Sequence, residues 1–294
     1  MSQNRFSSWI SKLQRGQSAK SYPPAVSLLL VSPLLALLLI GFLYPVARLV
    51  QLSFANGAEP YVRLVEGELY LGVLTDTIVI SAAVAALCLL LGYPVAMAMA
   101  RLKRKAALLV TACVFVPLWT SILVRSYAWV VLFQRNGLVN DLLQALGLSD
   151  EPLRLLYTQG AVIVAMTHVL LPFAILPIQA NLRSLPDDLT RAASNLGATP
   201  IRAFLLITLP LSLPGVFAGT LLCFVLALGF YITPALVGGP SSMMMATLIG
   251  QQTLVVLDWP FAAALSTLLL TVSLLLVAVF RRTFSQNKGF SSVH

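Results

Sequence analysis

The apolar segments of this sequence contain few side chains that could do chemistry. Asp76 is the best-placed acid, because it borders a long apolar run. Five aromatic residues flank other apolar runs: Trp119, Tyr127, Trp129, Phe230 and Tyr231. Carboxylates and aromatic faces attract organic cations, so these six residues are candidates for a solute pathway. The alternative is that Asp76 caps its helix and that the aromatic residues form interfacial belts.

The other reactive residue types do not suggest a catalytic or metal site. Cys88, Cys113 and Cys223 lie inside apolar stretches without CxxC spacing, and the sequence has only two His residues. We therefore expect the cysteines to be packing residues, with no disulfide framework, no metal site and no catalytic residue. An integral-membrane enzyme would need clustered His, Asp, Glu or Cys near one face. The sequence also lacks GxxxxGK[ST], so it is not expected to hydrolyse ATP.

Three residues within the apolar runs predict contacts between helices. His168 is expected to form a hydrogen bond between two helices, with a proton relay as the alternative. Gly215 and Gly219 form a small-xxx-small pair, which is typical of helices that approach each other closely.

Composition indicates a membrane protein. Of the 294 residues, 59% are hydrophobic and only 10% are charged, whereas soluble domains carry about 25% charged residues. The net charge of +9 is divided among short clusters between long apolar runs. This pattern favours membrane topology over binding of nucleic acid.

The apolar runs predict an all-α protein with six transmembrane helices, since each span needs about 20 apolar residues. The charge-free stretch 203–257 is broken by Pro234 and Gly238-Gly239-Pro240, which separates a fifth span from an outer segment. The predicted spans are 25–47, 77–100, 106–124, 155–182, about 207–235, and 260–280.

Most of the 19 Lys and Arg residues fall on one side of these spans, and most of the ten acids fall on the other. The positive-inside rule then places both termini in the cytoplasm. We expect a cytoplasmic segment 1–24, a six-helix transmembrane domain 25–282 and a cytoplasmic tail 283–294. The first apolar run is too long for a cleaved signal and is interpreted as a retained anchor.

The outer segments 48–76 and 125–154 are long enough to contain structure. A short amphipathic helix is predicted from Asn140, and Ser242 is predicted to cap a helix over 243–257.

The cytoplasmic loop 183–206 between spans four and five is predicted to form a helical hairpin. Ser184 is the expected cap of a helix that starts near Pro186 and ends near Gly197. Thr199-Pro200 then begins a second helix. The small side chains of Ala192 and Ala193 would let another protein approach closely. The alternative is an amphipathic hairpin that lies on the membrane.

The spacing in this loop resembles a family signature. The residues Arg191-Ala192-Ala193, Gly197, Ile207 and Leu209-Pro210 match EAA-x3-G-x9-I-x-L-P, except that Arg191 stands at the Glu position. The sequence thus resembles permease subunits of binding-protein-dependent ABC importers. The resemblance implies the type I importer permease fold and a loop that docks on a cytoplasmic ATPase. Arg191 is expected to face that ATPase, with lipid headgroups as the alternative.

Further motifs are similar to the spermidine/putrescine branch of that family. They are Gly92-Tyr93-Pro94, 117–129, Tyr231–Pro240 and Trp259–Ala264. This similarity implies a polyamine as solute. Amino-acid-like or other small organic solutes remain the alternative.

The resemblance also implies partners and a location. The partners are a pair of cytoplasmic ATPase subunits that bind ATP and Mg, a second and different permease subunit, and a periplasmic binding protein. The location is the bacterial inner membrane, whose lipid would contact the spans. The chain itself would bind no cofactor and no nucleic acid. A stand-alone secondary transporter is the rival class, but it would show internal repeats or several buried ionisable groups.

Overall fold

The computed structural model describes residues 24–286, so the expected segments 1–24 and 283–294 lie almost wholly outside the described residues. The described chain is helical and contains no strand. The helices are α1 Pro24–Ser53, α2 Glu59–Glu66, α3 Glu68–Arg101, α4 Arg104–Trp119, α5 Ile122–Phe133, α6 Leu138–Ala145, α7 Gln159–Ser184, α8 Asp187–Asn195, α9 Pro200–Leu228, α10 Ile232–Val237, α11 Met245–Gln251 and α12 Trp259–Gln286.

The chain divides into two compact units, residues 1–49 and 50–294. The described part of the first unit is the apolar stretch of α1 that ends at Leu49. All contacts discussed below lie within the second unit.

Five helices are long and apolar enough to cross a membrane, and a bent pair makes a sixth span if it is counted as one. The five are parts of α1, α3, α7, α9 and α12, and the pair is α4 with the helical segment Ile122–Ala145. The all-α architecture predicted from hydropathy is therefore confirmed.

The third predicted span, 106–124, is wrong at its end. Helix α4 stops at Trp119 and the chain turns by 98° before α5. Pro117 lies in the last turn of α4, and both the N–H and the hydroxyl of Thr120 donate to its carbonyl, at 3.2 and 2.7 Å. These bonds occupy the acceptor at the helix end and close the turn.

The fifth predicted span is also displaced. Helix α9 already begins at Pro200 and ends at Leu228, so the expected range 207–235 starts and ends too late. Gly229 terminates α9, and residues Ile232–Val237 form the separate helix α10.

The core of the second unit is formed where α3, α7 and α9 pack together. Its fully buried residues include Val84 and Cys88 of α3, Met166 of α7 and Cys223 of α9. The two buried thiols donate to α7 carbonyls, which agrees with the predicted packing role. Cys113, in contrast, is exposed on α4, so the predicted packing role is wrong for it within this chain.

The predicted close approach at Gly215 and Gly219 is confirmed. A Cβ on Gly219 would lie 2.7 Å from the Ala174 carbonyl oxygen, and one on Gly215 would lie 2.5 Å from Cβ of Asn181. Helices α9 and α7 therefore meet with their backbones almost in contact, and only glycine fits at these positions.

The outer segments are held by a small number of polar contacts. Arg63 of α2 pairs with Asp258 at 3.1 Å and lies 4.3 Å above the ring of Phe261. The short helix predicted from Asn140 is confirmed as α6, although it begins at Leu138. The Asn140 side chain bonds the backbone of Gln134 and Leu153. The predicted cap at Ser242 is wrong, because its hydroxyl accepts from the Gly239 N–H at 2.8 Å.

Candidate functional site

The hairpin between α7 and α9 contains the helix α8 Asp187–Asn195. Ser184 does not cap this helix, contrary to the prediction. Its hydroxyl donates to the Asn181 carbonyl at 2.7 Å, so it belongs to the last turn of α7. A serine at a helix end readily bonds a carbonyl one turn back, and here that local bond replaces the cap. Pro186 takes the cap position without a side-chain bond.

The turn after α8 follows the glycine rule. Gly197 has φ +82°, which is a left-handed conformation that favours glycine. The N–H groups of Leu196 and Ala198 donate to the carbonyls of Ala192 and Ala193, at 3.1 and 3.0 Å. The predicted stop at Gly197 is confirmed.

Thr199 begins the second arm of the hairpin. Its hydroxyl accepts from the Arg202 N–H at 3.4 Å, and Pro200 occupies the first turn where no N–H is needed. The predicted helical hairpin is therefore present, with the turn at Gly197 between its arms.

The hairpin exposes apolar side chains at its turn. Leu196 is 89% exposed and Ile201 is 71% exposed. Arg191 and Ala192 are also exposed, whereas Ala193 is buried. Of the two small residues predicted to meet another protein, only Ala192 is accessible, because Ala193 faces the interior of this chain. Exposed large apolar groups beside small residues are typical of a protein-binding surface.

The motif residues Ile207, Leu209 and Pro210 lie where the hairpin continues into the span. A π-helical turn covers Phe204–Thr208, and the Leu209 N–H donates to the Phe204 carbonyl. Pro210 lacks an N–H and would clash with the carbonyl four residues before it. The wider turn accommodates this proline without breaking α9, and such turns are frequent at functional sites.

Asp76 lies well inside α3, which begins at Glu68, so it does not cap that helix. The expected start of this span at residue 77 was too late. Asp76 is half-buried and forms no ion pair or hydrogen bond with the described residues. Its neighbour Thr77 does not cap α3 either, since its hydroxyl accepts from the N–H of Met245 in α11 at 2.8 Å.

The aromatic candidates fall into different environments. Trp129 donates to Nδ1 of His168 at 3.2 Å, which confirms the predicted hydrogen bond of His168 between helices. Phe230 packs against the core of α3, α7 and α9, and the Tyr231 ring covers Gly250. Trp119 is 88% exposed. Tyr127 is also largely exposed on α5. The structure therefore does not join all six pathway candidates into one cluster.

Arg125 is a residue that the sequence did not single out. Although its side chain is charged, it is only 8% exposed. Its Nε and Nη1 are buried without an acceptor among the described residues. Its neighbour Ser126 bonds Thr233 of α10 at 2.8 Å, which fixes α5 in place. The signal in the sequence was a lone cation directly after the apolar pair Leu123-Val124.

Comparison with known proteins gives a consistent result. Residues 89–287 match the family described as "Binding-protein-dependent transport system inner membrane component". The spermidine/putrescine transport system permease protein PotB of Escherichia coli (strain K12) is 35% identical over 231 residues, covering 78% of this chain and 84% of that protein. The inner membrane ABC transporter permease protein YdcU of the same organism is 34% identical over 224 residues, covering 71% and 69%.

A solved structure shares the fold. It is the crystal structure of a bacterial alginate ABC transporter in complex with an alginate pentasaccharide-bound periplasmic protein. A chain of that complex superposes with a TM-score of 0.72 at 21% identity, covering 90% of this chain and 95% of that one. This likeness supports the type I importer permease fold.

Proposed function

Since the chain belongs to the family of binding-protein-dependent inner membrane transport components, we propose that it forms part of the pathway of an ATP-driven polyamine importer. It is a multi-pass permease subunit of an ABC importer in the bacterial inner membrane. It is not itself an enzyme, because ATP hydrolysis belongs to partner subunits in this family.

The observation that supports a polyamine most strongly is the 35% identity to spermidine/putrescine permeases over most of the chain. The pathway would offer aromatic faces at Trp129, Phe230 and Tyr231, and the half-buried Asp76 as its carboxylate. Aromatic rings and a carboxylate attract ammonium groups, particularly where water is scarce. The exposed Trp119 and Tyr127 would add aromatic faces to the pathway where a second permease subunit covers them.

The hairpin is proposed to bind the ATPase. Its motif residues are Arg191, Ala192, Ala193, Gly197, Ile207, Leu209 and Pro210. Leu196 and Ile201 would enter an apolar cleft on the partner, while Gly197 sets the turn that presents them. The proline-associated π turn would carry the movement of the hairpin into α9. These roles rest on the match to the family signature and on the exposure of the two apolar residues.

Arg191 is proposed to contact an acidic group of the ATPase, because a family motif that normally has Glu has a cation here. The side chain is exposed, and no ion pair joins it to another described residue. An ATPase with a basic group at this position would repel it, so the partner surface must differ from that of a Glu-containing permease.

Reversal of this charge tests the pairing. We expect Arg191→Glu to lower coupled ATP hydrolysis and uptake by about fivefold, since an exposed ion pair contributes up to about 1 kcal/mol. Arg191→Lys keeps the charge and should retain most activity. Unchanged uptake and ATP hydrolysis in Arg191→Glu would show that Arg191 has no special role.

The remaining partners are proposed from the family. A pair of ATPase subunits would bind ATP and Mg, and a periplasmic binding protein would deliver the solute. A second permease subunit, encoded as a different chain, would complete the pathway. Lipid would surround the spans, and no cofactor would bind to this chain.

A carboxylate-bearing, amino-acid-like solute is the second candidate, and Arg125 is the observation that favours it. A buried guanidinium without an internal acceptor would attract a solute carboxylate and repel a polyamine. Purified binding protein and the reconstituted importer should be tested with spermidine, putrescine, arginine and glutamate. The polyamine proposal predicts saturable binding and uptake of spermidine or putrescine. Uptake of an amino acid without any polyamine uptake would reject it.

Replacement of Arg125 separates stability from transport. We expect Arg125→Met to leave the melting temperature unchanged or higher, because an apolar side chain avoids the desolvation cost of a buried charge. Uptake of a carboxylate-bearing solute should fall by about tenfold, because the guanidinium that would attract its carboxylate is lost, whereas uptake of a polyamine should not fall. Arg135→Met, which removes an exposed outer charge, is the control. A lower melting temperature with normal uptake per folded molecule would contradict this expectation.

A further inference from the structure

A cavity of about 230 Å³ lies at the cytoplasmic ends of α3 and α7, beside the hairpin. Arg101 ends α3 and Arg183 lies in the last turn of α7, and both line the cavity. The hydroxyl residues Thr190 of α8 and Thr208 of the π turn line it as well. We name this feature the inner cavity.

Neither Arg101 nor Arg183 is paired with a carboxylate among the described residues. Arg101 donates one hydrogen bond to the Thr208 hydroxyl at 3.2 Å, and Arg183 donates to the Met99 carbonyl at 3.3 Å. The amide oxygen of Gln179, oriented by these contacts, accepts from Nη2 and Nε of Arg183 at 3.0 and 3.1 Å. All of these acceptors are neutral. Among the described residues the ion pair found is Arg63–Asp258, so no described carboxylate neutralises either guanidinium.

The rest of the wall is apolar. Leu182 of α7 and Leu211 of α9 also line the inner cavity. A cavity lined by guanidinium and hydroxyl groups together with leucines fits a ligand with an anionic head and an apolar portion. Guanidinium groups bind phosphate oxygens in pairs, and basic pockets between helices at the cytoplasmic surface bind lipid headgroups.

We propose that the inner cavity binds a phosphate group, supplied by the headgroup of an anionic phospholipid. Free inorganic phosphate is the other source with the same chemistry, but it would leave the apolar wall without a partner. The phosphate would contact Arg101 and Arg183 in the spans, and Thr190 and Thr208 at the base of the hairpin. It would thereby hold the hairpin against the core of the permease.

The test compares two paired variants of the full importer. The arginine pair is the double variant Arg101→Gln with Arg183→Gln, which removes both cavity charges. The lysine pair is the double variant Lys103→Gln with Lys105→Gln, which removes two exposed charges from the neighbouring turn outside the cavity. Each complex is placed in nanodiscs of phosphatidylcholine, with or without phosphatidylglycerol. Retained lipid is measured by native mass spectrometry, and stability is measured by thermal melting.

The wild-type complex should retain phosphatidylglycerol and melt at a higher temperature when that lipid is present. The arginine pair should weaken retention by at least about tenfold, because two charge-assisted contacts are lost. The lysine pair should behave like the wild type. An equal response of both pairs would overturn the proposal, since it would indicate general surface charge.

Two additional arms keep the result interpretable. Inorganic phosphate added to phosphatidylcholine discs identifies the source of the bound phosphate group. If free phosphate stabilises the complex and this effect requires both arginines, the phosphate site is supported but the lipid is rejected as its ligand. If the glutamine pair does not assemble, Arg101→Lys with Arg183→Lys preserves charge and tests the paired geometry. If that charge-preserving pair and the wild type both retain lipid fully but neither prefers phosphatidylglycerol over phosphatidylcholine, the proposal is overturned. Lipid retention is independent of solute, so failure of the polyamine assignment would not affect this test.

Discussion

Leu196→Asp is expected to reduce ATP-driven uptake by roughly 30-fold while the chain stays folded. Leu196 is 89% exposed at the turn of the hairpin, so a charged side chain there costs little in the isolated subunit. In the assembled importer the same position would lie in an apolar cleft of the ATPase. Loss of a buried anchor typically costs about 2 kcal/mol, which corresponds to roughly 30-fold in affinity.

The matched control is Leu148→Asp, a similarly exposed leucine in the outer segment. Both variants should melt at the wild-type temperature, because neither side chain is part of the core. Copurification of the ATPase should weaken only in Leu196→Asp, and solute-stimulated ATP hydrolysis should fall with it. If Leu196→Asp binds the ATPase as tightly as the control, the hairpin turn is not the contact surface.

Gly219→Leu is expected to destabilise the permease by at least about 3 kcal/mol. The first added carbon would lie 2.7 Å from the Ala174 carbonyl oxygen and 3.3 Å from its Cα. Backbone atoms of α7 cannot move aside as a flexible side chain can, so the two helices must separate. Overpacking of a core costs 1–3 kcal/mol in typical cases and more where the obstacle is rigid.

The control for this prediction is Gly72→Leu in α3, where an added Cβ meets nothing within 4 Å. Thermal melting of the detergent-purified complex should show a large loss for Gly219→Leu and little change for Gly72→Leu. Equal melting temperatures for the two variants would mean that α7 and α9 do not approach as closely as described.

Features that depend on neighbouring residues in the chain were predictable from the sequence. Apolar runs of sufficient length specify spanning helices whatever they pack against. The stop at Gly197 follows from the left-handed conformation that a helix end requires, and Thr199-Pro200 specifies a local start. The close contact at Gly219 was also predictable, because Gly215 and Gly219 are four residues apart and therefore lie on the same face of a helix.

Features that depend on distant residues were not predictable. Arg125 is buried in α5, whose next residue Ser126 bonds Thr233 of α10, more than one hundred residues away in the chain. Hydropathy averaged over a window also cannot distinguish one straight span from the bent pair α4 and α5. Ser184 and Ser242 had the right residue type for caps, but each hydroxyl found another backbone group.

The pathway residues show the same limit. The aromatic side chains near span ends were visible in the sequence, yet sequence position could not indicate which helix each would meet. Trp129 contacts His168 across helices, whereas Tyr231 covers Gly250 on α11.

The most direct test of an ATP-driven permease is uptake into proteoliposomes that contain this chain with its partner permease and ATPase subunits. Labelled solute and binding protein are supplied outside, and ATP is enclosed inside. Uptake is predicted only with hydrolysable ATP and only when the ATPase is present. Solute uptake by this chain alone, without ATPase or ATP, would contradict the account.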